Sequence, residues 1–355
     1  MQKDLQYRDV DFLIEKLKQQ NLIIDDEDSA RVALEQYGYS NLIKSYRDPY
    51  VYTDSNGCKK YRDSITFEQI CSLYIFDKNL RNAVMSSMLD YEELIKVFAA
   101  HTVAEHFGSH QDDYLKFSNY RDRKNKKNQF SLSAILTTMN KTLNTSKDPI
   151  HHYKSKYGVV PPWILFKSVY MGTIVNFIDL FKKAERETMA KYLYPDNLPL
   201  APGELQRFML DTMFMANEFR NLAAHGSRIY DHKFWYRPQV TGSITKQLFS
   251  ADGISRLLFC LGLLKNRSAF DTLSNALNEE INRHCSDYPQ DATYLSNILQ
   301  VNIKSVSYVY VTGKSKKYHL DPRCSGMRDA LRIEKADAIT SGFVPCARCA
   351  NTYKH

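Results

Sequence analysis

Within the run Glu218-Phe219-Arg220-Asn221-Leu222-Ala223-Ala224-His225-Gly226-Ser227-Arg228, six positions hold a fixed cation, an amide and an imidazole. A guanidinium can hold a phosphate by paired hydrogen bonds. An imidazole can take up and return a proton near neutral pH. The trio groups a fixed charge, a hydrogen-bonding amide and a titratable ring, the parts that acid–base chemistry needs. On an ideal helix Asn221 and His225 share a face, whereas Arg220 stands about 140° from His225. Both reach one site if the helix stops near His225, and Gly226 suits such a stop. Spacing alone equally permits a surface ion pair and a ring at the negative end of a helix.

A second constellation lies near the C-terminus. His319 and Cys324 precede a 21-residue gap and then the pair Cys346 and Cys349. A Cys-x-x-Cys knuckle with a second pair of soft or borderline ligands suits tetrahedral Zn²⁺. Four protein ligands leave no open position, so the expected ion is structural. The other cysteines, Cys58, Cys71, Cys260 and Cys285, show no pattern, and an odd total of seven argues against a disulfide framework. His106 and His110 are four apart, but no carboxylate or thiol stands with them, and they read as ordinary polar residues.

The elements that must position these groups are mostly helical. Apolar residues at three- and four-residue spacing predict helices over 11–20 and 29–37, the second capped by Asp26 or Asp28. Residues 50–61 read as a small hairpin turning at Asp54-Ser55-Asn56-Gly57. From Thr66 to about Phe107 two helices are expected, and Pro161-Pro162 is read as a stop. Segments 163–181 and 205–224 are amphipathic. In the latter, Leu205, Phe208, Met209, Met213, Ala216, Phe219 and Leu222 form a core stripe. Helical patterning continues over 248–277 and 292–301. After about residue 305 the β-branched and aromatic run Val306–Thr312 changes the pattern. The expected division is therefore a helical domain over 1–304 and a small C-terminal α/β zinc-binding module over 305–355.

The 355 residues carry 48 Lys plus Arg against 40 Asp plus Glu, a formal charge of +8, with 43% hydrophobic residues. That composition excludes a wholly disordered or collagen-like chain. The longest apolar run is about eight residues, whereas a bilayer span needs roughly twenty; no membrane partner and a cytoplasmic location are expected. The charge is uneven. Residues 115–156 carry ten Lys plus Arg and two Asp, and residues 301–355 carry ten Lys plus Arg and four acidic residues. The rest is net acidic. Two basic territories point to a polyanionic partner, while the Arg121–Lys127 run reads equally well as a solvated loop. In the first, Arg121, Arg123, Lys124, Lys126, Lys127, Lys154 and Lys156 are candidate phosphate contacts. Tyr114, Phe117, Tyr120 and Phe130 stand beside them and could stack on unpaired bases. Core packing is the other role open to these four.

Arg220-Asn-Leu-Ala-Ala-His-Gly-Ser-Arg-Ile-Tyr230 resembles the Arg-Asn-x-x-Ala-His-x-x-Arg-aromatic signature of the Abi-like (AbiD/AbiF) abortive-infection proteins, of the HEPN superfamily. The similarity extends to Asp11–Leu17 with Asn21–Asp26, to Thr66–Arg81, and to Pro162-Trp163-Ile-Leu with Met171-Gly172-Thr. It covers roughly residues 8–235. The resemblance implies an HEPN-like helical domain that dimerises and sets two Arg/His pairs in one cleft, cleaving RNA without metal. It implies catalytic roles for Arg220, Asn221 and His225, and a phosphate grip for Arg228. Many family members place a second His or another polar residue after the motif His, where this chain has Gly226. The alternative is an RNA-binding protein that holds a specific structured RNA, such as a cognate non-coding RNA, without cutting it. The segment from Val311 to Cys349, above all Gly342-Phe-Val-Pro-Cys-Ala-Arg-Cys349, is similar to the N-terminal zinc domain of Ada-type proteins. There all four ligands are Cys and one accepts a methyl group. With His319 near that place, only the fold and the metal carry over.

Overall fold

The computed structural model describes residues 7–122, 130–234 and 252–301. Between 308 and 348 it describes all but 314, 320–323, 325, 326, 328 and 329. In chain order the elements are α1 (Val10–Gln19), α2 (Glu27–Tyr37), β1 (Val51–Thr53), β2 (Lys59–Tyr61) and α3 (Phe67–Phe107). Then come α4 (Gln111–Tyr114), α5 (Leu132–Leu143), α6 (Ile150–Tyr157), α7 (Pro162–Leu165) and α8 (Met171–Ile178). They are followed by α9 (Lys183–Leu193), α10 (Pro202–Ala224), α11 (Gly253–Gly262), α12 (Ser268–Asp287) and α13 (Ala292–Leu299). The chain ends with β3 (Tyr308–Val311), β4 (Lys317–His319), β5 (Leu331–Glu334), α14 (Lys335–Thr340) and β6 (Val344–Pro345). The protein is mainly helical, as expected.

The chain divides into two compact units, one of Met1–Phe76 with Asn278–His355 and one of Asp77–Leu277. In the first, the Asp26 side chain accepts the Ser29 N–H and caps α2. The expected hairpin forms with Val51 opposite Tyr61 and Thr53 opposite Lys59. Asp54 Oδ1 closes its turn by accepting the N–H groups of Asn56 and Cys58. Gly57 has φ +77°, which a side chain would resist.

The same unit buries a polar network. The His284 ring bonds Ser72 Oγ at 2.8 Å and Asp291 Oδ2 at 2.9 Å, while Tyr50 and Gln69 donate to the same carboxylate. Burial pushes the Asp291 carboxyl up, but the bonds from His284, Gln69 and Tyr50 outweigh it and hold the group below its usual range. The unit also contains the four-stranded sheet β5-β3-β4-β6. The β3–β4 and β3–β5 pairs are antiparallel and β4–β6 is parallel. Val309, Val311, Tyr318 and Ala338 form its small core, so the α/β grammar expected after residue 305 is present.

Where two helices were expected from Thr66, a single helix of 41 residues forms. It contains neither Gly nor Pro, and the first glycine beyond it, Gly108 at φ +81°, follows its last residue. Its buried residues recur at three- and four-residue intervals, with Leu80, Val84, Met88, Tyr91, Ile95 and Ala99 inside the second unit. The Pro161-Pro162 pair does not simply stop a helix: Pro162 occupies the first turn of α7, where its missing N–H costs nothing. In α10 the expected stripe is core, with Phe208, Met209, Met213, Ala216 and Phe219 fully buried.

Candidate functional site

Helix α10 carries the motif, and its two ends explain how. Pro202 opens it, and Glu204 Oε2 accepts the Ala201 N–H at 3.1 Å. At the other end His225 is the cap residue. Gly226 N–H bonds Ala223 O at 3.2 Å and Ser227 N–H bonds Leu222 O at 3.0 Å, with Gly226 at φ +67°. This is a Schellman stop, and it needs a residue that accepts positive φ. Gly226 therefore has a structural reason to stand directly after His225.

The chain leaving the helix is fixed by a carboxylate. Asp77 on α3, fully buried, accepts the N–H groups of Ile229 and Tyr230 on one oxygen, at 3.0 and 2.8 Å. Its other oxygen is 2.5 Å from Arg81 Nη1. Ile229 and Tyr230 are themselves buried. The segment after the motif is thus locked on both sides. Arg228 pairs with Asp231 at 2.8 Å and lies over the Tyr230 ring.

Arg220 and His225 have different surroundings. The Arg220 guanidinium faces α3, where its Nε lies 3.9 Å from Glu92 Oε2; both atoms are buried and neither has a hydrogen bond among the described residues. Glu92 also pairs with Lys96 at 2.7 Å. Asn221 and His225 are exposed, as the 140° separation requires.

Glu92 also lines a cleft of about 640 Å³ between α3 and α7, walled in part by Val97, His101, Trp163 and Lys167. Helix α8 approaches α10 at Gly172, where an added Cβ would stand 3.6 Å from the Asn217 side chain. The same α10 face as His225 carries Glu218, seven residues earlier. Its Oε1 bonds His232 Nε2 at 2.7 Å, and the His232 ring stands edge-on to Phe219 and Phe234.

Sequence reasoning missed Asp77, Arg81, Glu92, Glu218 and His232. Asp77 and Arg81 lie inside the Thr66–Arg81 block, which was matched as a whole without a role for any one residue. For Glu92 and the Glu218–His232 pair, no local signal exists: their significance is a contact between distant segments.

The basic candidates are spread. Arg121 donates to Asp179 O at 2.7 Å, a contact inside the helical scaffold. Lys154 bonds Asn144 Oδ1 at 2.8 Å, and Lys156 lies over the Tyr157 ring at the end of α6. Arg123, Lys124, Lys126 and Lys127 lie outside the described residues. Of the four aromatics, Tyr114 and Tyr120 are buried and hydrogen-bonded, while Phe117 and Phe130 are exposed. His106 bonds Thr188 and His110 caps α4.

In the C-terminal sheet, one ligand atom from each of His319, Cys324 and Cys346 lies within 4.8 Å of the others. His319 closes strand β4, and the Cys346 N–H bonds Tyr318 O at 2.9 Å, so the parallel β4–β6 pairing brings Cys346 to the histidine. Tetrahedral Zn–S and Zn–N bonds of about 2.0–2.3 Å imply ligand atoms nearly 4 Å apart. The donor set and spacing could hold a metal. Cys349, the expected fourth ligand, lies outside the described residues.

These features define a mainly helical protein with a motif-bearing helix end and a possible metal-binding sheet. The family model described as Abi-like protein matches residues 32–231, 200 of the 355, and the chain belongs to that family. Membership points to abortive infection. No curated protein and no solved structure matches the chain. Among the described residues, no helix is long and apolar enough to cross a membrane.

Proposed function

We propose that this Abi-like protein binds RNA and cleaves it as a metal-independent endoribonuclease of the HEPN kind, as a dimer, during abortive infection of phage-infected cells. One observation carries the reading: Arg220 and His225 stand at a helix end whose exit is fixed by the buried Asp77.

In the reaction, the ribose 2′-oxygen attacks the adjacent phosphorus, its proton passes to a base, and the 5′-oxygen leaves with a proton from an acid. A His225 ring in each of two copies supplies those two roles. Arg220 holds the phosphate and spreads the charge that builds on it. With Arg220 against α3 and His225 exposed in one copy, a second copy would complete the site. Asn221, on the same face as His225, orients the phosphate or the ring, and Arg228 grips a neighbouring phosphate.

In the C-terminal module, His319, Cys324, Cys346 and Cys349 would hold Zn²⁺. A bound ion would brace a sheet whose core, among the described residues, is four buried side chains, a size at which small modules commonly need such a staple. The basic module would then add nucleic-acid contacts.

Labelled RNA incubated in EDTA with the wild type, Arg220→Ala and His225→Ala tests the reading. Intact RNA with all three proteins would sink the nuclease. Cleavage surviving both substitutions would sink the assigned site. A second reading, stable capture of a specific structured RNA, is favoured by the His225 ring being exposed with no orienting hydrogen bond among the described residues. That reading predicts retention without cleavage, weakened steeply by salt.

A further inference from the structure

We infer that the cleft between α3 and α7 is a pocket for one unpaired nucleobase of RNA, stacked on the Trp163 indole; this rests on the RNA reading above. Trp163 is 42% exposed and shares the cleft with Leu89 and Val97, 50% and 39% exposed. A half-exposed indole beside cationic groups is the means by which single-strand binders hold bases without reading sequence. A cleft of about 640 Å³ admits a base with its ribose.

The polar atoms of the cleft decide the occupant. Glu92 is 9% exposed, and its Oε2 is buried without a hydrogen bond among the described residues. With almost no accessible surface, that oxygen faces Arg220 on the α10 side and is closed to a base in the cleft. Lys167 and His101 line the same cleft and suit the phosphate and ribose, while Lys96 is paired with Glu92 and the exposed Glu93 beside them can accept from a base amino group. An apolar protein surface would instead bury Lys167 and Glu93 without partners, at a cost.

Glu92 ties the pocket to the motif. The carboxylate that lines the cleft also lies 3.9 Å from Arg220 Nε, so a base seated here brings its own phosphate toward the Arg220 side of α10. The pocket selects unstacked nucleotides at the point of cleavage. Duplex RNA, whose bases are stacked and paired, cannot enter it.

Trp163 and Trp235 are the two tryptophans, so Trp235→Phe leaves Trp163 as the sole reporter. Titration with a short mixed-sequence single-stranded RNA should quench its emission. Inorganic polyphosphate of the same charge should not. Trp163→Ala should weaken retention of that RNA about tenfold, with Trp163→Phe intermediate and circular dichroism unchanged. RNA retention with unaltered emission and undiminished affinity in Trp163→Ala overturns the pocket and leaves the RNA reading standing. No retention by the unmodified protein overturns both. Emission that changes with protein concentration and not with RNA overturns the pocket in favour of a second copy of this chain.

Discussion

The buried Asp77 carboxylate accepts the backbone N–H of Tyr230 at 2.8 Å, and so joins α3 to the chain that has just left the motif. The same oxygen takes the Ile229 N–H, and the other carboxylate oxygen faces Arg81. Removing one partner of a buried charged cluster leaves the others uncompensated. Asp77→Ala should destabilise the protein by about 3–5 kcal/mol. Asp77→Asn, which keeps one acceptor and loses the charge opposite Arg81, should cost less, about 1–3 kcal/mol. Urea unfolding followed by circular dichroism measures both, and equal stability of all three proteins contradicts the anchor.

Gly226 makes a narrower prediction. Nothing lies within 4 Å of a Cβ added there, so the obstacle is backbone conformation alone, at φ +67°. Gly226→Ala should lower stability by about 1–2 kcal/mol. Gly226→Asn should cost less, since Asn tolerates this region. A thermal melt in which Ala and Asn behave alike, or raise Tm, contradicts the Schellman stop.

The Asp291 network sets a pH dependence. Its carboxyl is held below the ordinary range, so it stays charged in the folded protein at pH values where the unfolded chain is already binding protons. The stabilisation is complete above the ordinary carboxylate range and is lost as pH falls through the lower, folded value. Asp291→Asn should therefore cost about 1–3 kcal/mol at neutral pH and progressively less in acid. Stability curves of wild type and variant that stay parallel into acid would refute this.

Thiol reactivity should separate the cysteines. Burial pushes the Cys71 and Cys260 thiols up to about 12 and Cys285 to about 11, while Cys58 is exposed. The thiolate is the nucleophile. Mass spectrometry of the native protein after brief maleimide treatment should find Cys58 modified and those three protected until denaturant is added.

The metal cluster predicts one Zn²⁺ per chain by elemental analysis, lost in Cys346→Ser and in His319→Ala. Metal-free native protein with an intact C-terminal sheet contradicts it. Retention of the ion in both variants contradicts the ligand set.

Much of the fold was legible because its signals are local. The Asn56-Gly57 turn, the choice of Asp26 or Asp28 as cap and the α10 stripe each follow from a few adjacent residues; the turn forms, Asp26 is the cap, and five of the seven stripe residues are core while Leu205 and Leu222 are half-buried. The 66–107 stretch reads as two helices but forms one of 41 residues, since no Gly or Pro in it interrupts a helix. The Arg220–His225 motif was legible from its flanking residues. Its supports were not, since Asp77 lies 152 positions before Ile229 and Glu92 stands on another helix from Arg220. A carboxylate in a helical run carries no mark of whether it meets water or a distant backbone. Likewise, Trp163 read as part of an amphipathic segment, and only the cleft beside it gives the ring another role.

The central claim is that Arg220 and His225 drive attack by the ribose 2′-hydroxyl. The most direct measurement is the chemistry of the RNA ends produced in EDTA by the wild type and by His225→Ala. The account predicts 2′,3′-cyclic phosphate and 5′-hydroxyl ends from the wild type and uncut RNA from the variant. Ends with a 3′-hydroxyl and a 5′-phosphate, or identical products from His225→Ala, would contradict it.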